Sequence, residues 1–349
     1  MTTTYDVIVI GGGVAGLSGA VVLARSRRSV LVIDSGEPRN APAEGVHNYL
    51  GHDGINPLQL LELGRAEACR YGAHIVDGRV ISTARDGDAF SVDLADGRAF
   101  AARRLLVTTG LVDELPDVTG LRERWGRDVL HCPYCHGWEV RDQAIGVLAT
   151  RPAAVHMALL FRQLSSDVVL FTHTAPPLTA EQREDLAVHD IRIVEGDVVA
   201  LETVGDRLSG VRLADGTVEP RQAIVVTPRF VARSEVLASL GLQPTPHPMG
   251  FGEYIAAEPT GKTAAAGVWV AGNIGDLSAG VAVAAGSGVA AASAINADLV
   301  AEDTRVYRTR RTVPASPSTS TSRPSGSSAV AFPVPTTAGI PYSRATTAQ

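Results

Sequence analysis

An α/β chain of two like domains, each a parallel β-sheet covered by helices and followed by a small β-meander, is the fold this sequence predicts. Three observations predict it. Two strand–helix–strand units with continuous apolar strands occur, one at the N-terminus and one beginning at Ala144. Each is followed by short strands joined through an Asp-Gly turn. The second copy follows the first by roughly 120 to 135 residues, a separation of domain size. With 349 residues, 45% of them hydrophobic, the chain can build about two separately cored domains.

In chain order, the first unit is a strand over Asp6–Ile10, a glycine turn, a helix over Gly16–Arg25 and a strand over Ser29–Ile33. Unbroken apolar strands joined by a helix are what a sheet buried on both faces requires. Ala89–Leu94, the turn Asp96-Gly97 and Ala99–Phe100 form the first meander, and the apolar strand Arg104–Thr108 closes it. The second unit is a strand over Ala144–Leu148, a turn at Ala149–Pro152, a helix over Ala153–Leu164 and a strand over Asp167–Phe171. Its meander runs through Leu208–Leu213, Asp215-Gly216 and Thr217–Val218 to the strand Gln222–Thr227.

Ala279–Ala294 is almost entirely Ala, Val, Gly and Ser. Small side chains give weak transfer energy into lipid, so it reads as a buried helix that admits close backbone contact, and no membrane partner is expected. Beyond Arg311 the composition turns to Ser, Thr, Pro and Ala; residues 312–349 cannot offset their ordering entropy and are expected to be disordered. A formal net charge of −6 without a Lys/Arg run gives no footprint for nucleic acid. Met1 leads without a basic region into the apolar run Val7–Ile10, so a cytoplasmic location is expected.

Gly11-Gly12-Gly13-Val14-Ala15-Gly16 fits G-x-G-x-x-G directly after a strand and at the start of a helix. The first glycine makes the tight turn, the second lets a pyrophosphate approach the backbone, and the third lets the helix pack on the sheet. The helix N-terminus adds partial positive charge. Asp34 ends the next strand about twenty residues on, where a carboxylate accepts from a ribose hydroxyl. A dinucleotide is implied; the loop alone does not separate NAD from FAD.

Three cysteines cannot make a disulfide framework, and two of them stand as Cys132-Pro133-Tyr134-Cys135. The segment supports four readings. Zinc could take His131, Cys132, Cys135 and His136, but adjacent Cys and His rarely face one tetrahedral centre and no metal is expected. Covalent haem matches C-x-x-C-H, but no axial partner can be identified. Two inert cysteines are a third reading. The fourth is a redox pair: Pro and Tyr hold a compact turn, the flanking histidines can tune a thiol or carry a proton, and a dinucleotide domain stands beside it. Cys69, in a helical stretch with Leu60, Leu61 and Leu63, reads as a core thiol.

On these residues the chain resembles the low-molecular-weight thioredoxin reductases and their relatives, the flavin-dependent dithiol oxidases of the gliotoxin and holomycin type. The carrying features, within about residues 5–300, are the glycine loop, Val107-Thr108-Thr109-Gly110, the C-x-x-C, and Gly267–Asp276 before a small-residue helix. The resemblance implies a split FAD domain, residues 1–113 and 246–305, with an inserted NAD(P)-binding-like domain, 114–245, that carries the cysteines. Gly11, Gly13, Gly16 and Asp34 would then hold the adenosine half of FAD. Asn48, Thr109, Gly110, Gly272 and Asn273 would lie along its flavin half, with Asn273 where the reductases carry Asp. The helix beginning near Gly280 would point its positive end at the flavin. Cys135 would face the flavin and Cys132 would exchange with substrate. His136 stands where the reductases place an Asp proton donor and where the natural-product oxidases carry His. A homodimer is implied as well.

The inserted domain should carry its own glycine loop, yet the expected glycines fall on Ala149 and Arg151. A long side chain there stands where a pyrophosphate should meet bare backbone. Phe171-Thr172-His173-Thr174 lacks arginines for a 2′-phosphate. NADPH use is therefore doubtful, and a dithiol oxidase with a small dithiol substrate and oxygen as acceptor is expected. The alternatives are an NADPH- or ferredoxin-dependent reductase of a thioredoxin-like protein, and a non-catalytic flavin redox sensor.

Overall fold

The computed structural model describes residues 4–312; most of the Ser/Thr/Pro-rich tail lies outside the described residues. Residues up to Asp303 form one compact unit. The unit that follows is described only as the helical end Thr304–Thr312, in which the Thr309 hydroxyl donates to the Arg305 carbonyl at 3.1 Å.

The first sheet has seven strands. Thr4–Ile10 lies between Val30–Asp34 and Ala99–Val107, parallel to both, with Val7 against Val30 and Val9 against Leu106. Val7, Ile8 and Val9 are fully buried; each such side chain contributes about 1.5–3 kcal/mol of burial. Helix α1, Val14–Arg25, connects Thr4–Ile10 to Val30–Asp34. Helix α2, Pro57–Arg70, precedes the edge strand His74–Asp77. Asn56 starts α2: its Oδ1 accepts from Leu58 N–H at 2.9 Å, and Pro57 fills the first helical position.

Two local expectations change. Ala99–Phe100 and Arg104–Thr108 are one strand, Ala99–Val107. Its first residues pair antiparallel with Ala89–Leu94, and its last, Leu105–Val107, pair parallel with Val268–Val270. One strand thus serves both meander and parallel sheet. Cys69 is exposed and is not a core thiol. The buried positions of α2 are Pro57, Leu60 and Ala68; Cys69, one residue past Ala68, is turned about 100° away from that face.

The second sheet has five parallel strands in the order Arg192–Val194, Val168–Phe171, Ile145–Leu148, Ala223–Val226, Val129–Leu130. The short helix α3, Pro133–His136, follows Val129–Leu130, and α4, Ala154–Arg162, follows Ile145–Leu148. Helix α5, Ala180–Val188, opens on a reciprocal cap, with Thr179 Oγ1 accepting from Gln182 N–H at 3.1 Å and Gln182 Oε1 from Thr179 N–H at 3.0 Å. The meander over Val198–Val204, Arg207–Leu213 and Val218–Glu219 is antiparallel.

The chain leaves the first sheet through Leu111–Glu114 and returns through Arg229–Ala232, which pair antiparallel in a small four-stranded sheet with Gly252–Tyr254 and Thr245–Pro246. It then adds Val268–Val270 to the first sheet and continues into α6, Val281–Thr312. By length and composition alone Val281–Thr309 could cross a membrane. Its inner face is a core face: Ala291, Ala292, Ile295 and Leu299 are fully buried. A Cβ on Gly288 would fall 2.0 Å from the Ala15 carbonyl oxygen, so the small residues of α6 admit α1 at backbone contact.

Candidate active site

A cleft of about 980 Å³ runs from the first glycine loop to the cysteine pair. The glycine loop at one end follows the steric logic of its sequence. Gly11 has φ 106°, and a Cβ there would lie 2.5 Å from the Thr108 carbonyl oxygen. A Cβ on Gly16 would lie 2.0 Å from Gly11 O, so this residue sits behind the cleft and lets α1 close on the turn. Around Gly13 there is nothing within 4 Å of where a Cβ would stand. No side chain caps α1 at Gly13, so its first N–H groups face the cleft without a protein partner.

Asp34 reaches the loop from the adjacent strand. Its Oδ1 accepts from Gly12 N–H at 2.9 Å and its Oδ2 from Arg65 Nη2 at 2.5 Å. The brace on the turn is Thr108, whose hydroxyl donates to Gly11 O at 2.8 Å. Thr109 donates instead to Arg233 O at 2.6 Å, and Gly110 takes φ 73° as the chain turns out of the sheet. Of the Val107–Gly110 motif, sequence reasoning selected Thr109 and Gly110 and passed over Thr108.

Gly272 and Asn273 form the turn ahead of α6. Gly272 has φ 73°, its N–H donates to Ser287 Oγ at 2.9 Å, and a Cβ would meet Ala15 Cβ at 3.0 Å. The Asn273 side-chain amide donates to the carbonyls of Asp276 (3.0 Å) and Ala279 (2.9 Å), tying down the approach to α6. Asn273 thus uses its donors inside the protein while lining the cleft.

At the other end, Cys132 and Cys135 form a disulfide across one turn of α3. Cys132 caps this turn, its Sγ accepting from Cys135 N–H at 3.2 Å. Asn48, with φ 58°, donates from Nδ2 to the Tyr134 carbonyl at 2.5 Å, joining the loop after the second strand to the cysteine turn. His136 lines the cleft, and its Nε2 is buried without a partner. Burial lowers its pKa below the ordinary 6.5, with Glu139 pulling it up and His47 pushing it down; the ring is neutral at physiological pH and can accept a proton. His47 itself lies 3.4 Å from Glu139 and 3.1 Å from Asp53. His131 is also held neutral by burial, packed edge-on to Phe230 with its Nδ1 3.2 Å from Val226 O.

All the expected site residues except Gly16 line this one cleft. Sequence reasoning missed Arg65, Thr108, His47 and Glu139. Arg65 meets Asp34 31 residues away and His47 meets Glu139 far along the chain, so no local pattern marks those three; Thr108 lies inside the Val107–Gly110 motif, and only its bond to Gly11 sets it apart.

The second loop is built differently. Ala149 is buried, and none of residues 149–153 takes a positive φ. Arg151 Nη1 donates to Gly250 O at 2.9 Å, and burial, with repulsion from Arg229, lowers its pKa. After the next strand, His173 Nδ1 accepts from Val198 N–H at 3.1 Å. Arg151 and His173 are thus both engaged with the protein itself.

Residues 5–294 match the family described as pyridine nucleotide-disulphide oxidoreductase. The thioredoxin reductase tcpT of Claviceps purpurea (strain 20.1) is 31% identical over 311 residues, 85% of this chain and 95% of that protein. Among solved structures, HlmI shares 47% identity at a TM-score of 0.84, covering 90% of this chain and 99% of that one. An oxidoreductase from Agrobacterium tumefaciens shares 34% at a TM-score of 0.80, covering 85% and 99%. With two Rossmann-like halves, a dinucleotide loop and a disulfide on one cleft, the chain is an oxidoreductase with the fold of the thioredoxin reductases and belongs to the pyridine nucleotide-disulphide oxidoreductase family.

Proposed function

We propose that this protein is an FAD-dependent dithiol oxidase that closes a disulfide in a small dithiol substrate, with oxygen as the final acceptor. One observation carries the reading: the Cys132–Cys135 disulfide opens onto the same cleft as an intact glycine loop, while the second loop carries Ala149 and Arg151 in place of glycines, with Arg151 donating to Gly250 O. The cleft fits FAD. Open space at Gly13 and the uncapped start of α1 suit a pyrophosphate, Asp34 suits a ribose, and Asn48, Thr109, Gly110, Gly272 and Asn273 border the remainder. We assign residues 1–113 and 246–305 to the flavin-binding domain and 114–245 to the insert.

Bound there, FAD supplies a two-electron acceptor that oxygen regenerates with release of hydrogen peroxide. The protein's own steps are thiol exchange. A substrate thiolate attacks Cys132 Sγ, the Cys132–Cys135 bond breaks, and Cys135 leaves as thiolate. His136 takes the proton of the second substrate thiol, whose sulfur attacks the substrate sulfur of the mixed disulfide and releases Cys132. The substrate has lost two electrons and two protons, and the cysteine pair holds the electrons.

The test is aerobic turnover with dithiothreitol or NADPH as the sole electron donor. Dithiothreitol should consume oxygen and yield one peroxide per disulfide, while NADPH oxidation stays at background. Rapid NADPH oxidation with reduction of an added thioredoxin would favour the second reading, a reductase of a thioredoxin-like protein, which the name of the Claviceps relative supports. A protein inert to both donors would fit a non-catalytic sensor.

A further inference from the structure

Arg65 stands outside every motif the sequence offers, yet it reaches the carboxylate at the heart of the dinucleotide site. Helix α2 packs closely on α1, where a Cβ on Gly64 would come within 3.1 Å of Leu17. This contact sets the next residue over the end of the second strand. From there Arg65 Nη2 donates to Asp34 Oδ2 at 2.5 Å and Nη1 to Asp77 Oδ1 at 3.1 Å. The Asp34 side chain is only 13% exposed, whereas that of Asp77 is 85% exposed. The backbone clamps Asp34 from the other side, through Gly12 N–H on Oδ1 at 2.9 Å.

We infer that Arg65 is a positioning residue for the adenosine ribose of the bound dinucleotide: with Gly12 it fixes the Asp34 carboxylate so that its remaining acceptor sites face the cleft. The inference rests on FAD occupying this cleft. An ionised carboxylate offers about four acceptor sites. Arg65 and Gly12 each occupy one, and the rest can accept ribose hydroxyls. Without Arg65 the carboxylate can swing into water and must be ordered again when the cofactor binds. The guanidinium, engaged by two carboxylates, is also poorly placed to pair with a 2′-phosphate, so the arrangement favours an unphosphorylated ribose such as that of FAD.

The test is FAD affinity, read as flavin fluorescence recovered on dilution of the yellow holoenzyme. Arg65→Gln should raise the FAD Kd roughly tenfold. Arg65→Lys, which keeps one charged donor, should restore part of that loss. Asp77→Asn should change Kd by less than about twofold, because exposed pairs contribute little. The thermal midpoint with FAD in excess should stay near wild type in all three. A wild-type Kd in Arg65→Gln would overturn the inference. So would an equal loss in Asp77→Asn, because the bridge to the strand edge would then matter rather than the hold on Asp34. A wild-type protein that binds no FAD would instead defeat the FAD reading itself.

Discussion

Replacing Cys132 or Cys135 with Ser is expected to lower dithiol turnover by about three orders of magnitude or more while leaving the protein yellow. In the proposed mechanism serine removes the sulfur that substrate attacks at position 132, and the sulfur that leaves and relays the electrons at position 135. Neither change disturbs packing, because both cysteines lie half-buried on the cleft wall and the turn is held by its own backbone bonds. The residues proposed to hold FAD lie on other elements, so flavin content should not fall. Cys69→Ser is the control: it is exposed on α2 and its loss should leave activity unchanged. The measurement is oxygen uptake with dithiothreitol beside the visible spectrum of each variant. Full activity in both cysteine variants would remove the disulfide from the mechanism.

The second large effect is expected at His136. A positioned base contributes about 10²–10⁴-fold, and His136→Ala should lose turnover in that range near neutral pH. The sign of its pH dependence follows from its surroundings. Burial pushes the pKa of His136 below 6.5, so the neutral, proton-accepting form persists down to that lowered value. Wild-type activity should therefore fall on the acid side only below 6.5. Without the base, the substrate thiol must ionise unaided, with an ordinary pKa of about 8.5. The deficit of His136→Ala should thus be largest at neutral pH and shrink towards about pH 9. A deficit independent of pH would mean that His136 shapes the site and does not move the proton.

Legibility in the sequence follows the range of the interactions. Gly11, Gly13 and Gly16 were readable because their constraint is local: a turn, an opening and a close approach within one loop. The cysteine pair was readable for the same reason. The Ala149 and Arg151 substitutions were visible too, though not that Arg151 would bond to Gly250, 99 residues away. Long-range partners were invisible. Arg65 reaches Asp34 across 31 residues, and the four-stranded sheet pairs Leu111–Glu114 with Arg229–Ala232. Short strands with mixed composition carry no period to read. Cys69 was misplaced by helical phase: leucines upstream marked an apolar stretch, but Leu63 is itself exposed and the buried line runs through Leu60 and Ala68.

Electrons are proposed to pass from a dithiol through Cys132 and Cys135 to a flavin bound in the cleft. The most direct test of this transfer is an anaerobic absorbance titration of the purified protein with dithiothreitol. A yellow protein is expected whose visible band bleaches with about one to two equivalents of dithiol per flavin, because the disulfide and the flavin each take up two electrons, returns when air is admitted, and resists bleaching in Cys135→Ser. A colourless protein that takes up no added FAD, or a flavin band untouched by excess dithiol, would contradict the transfer.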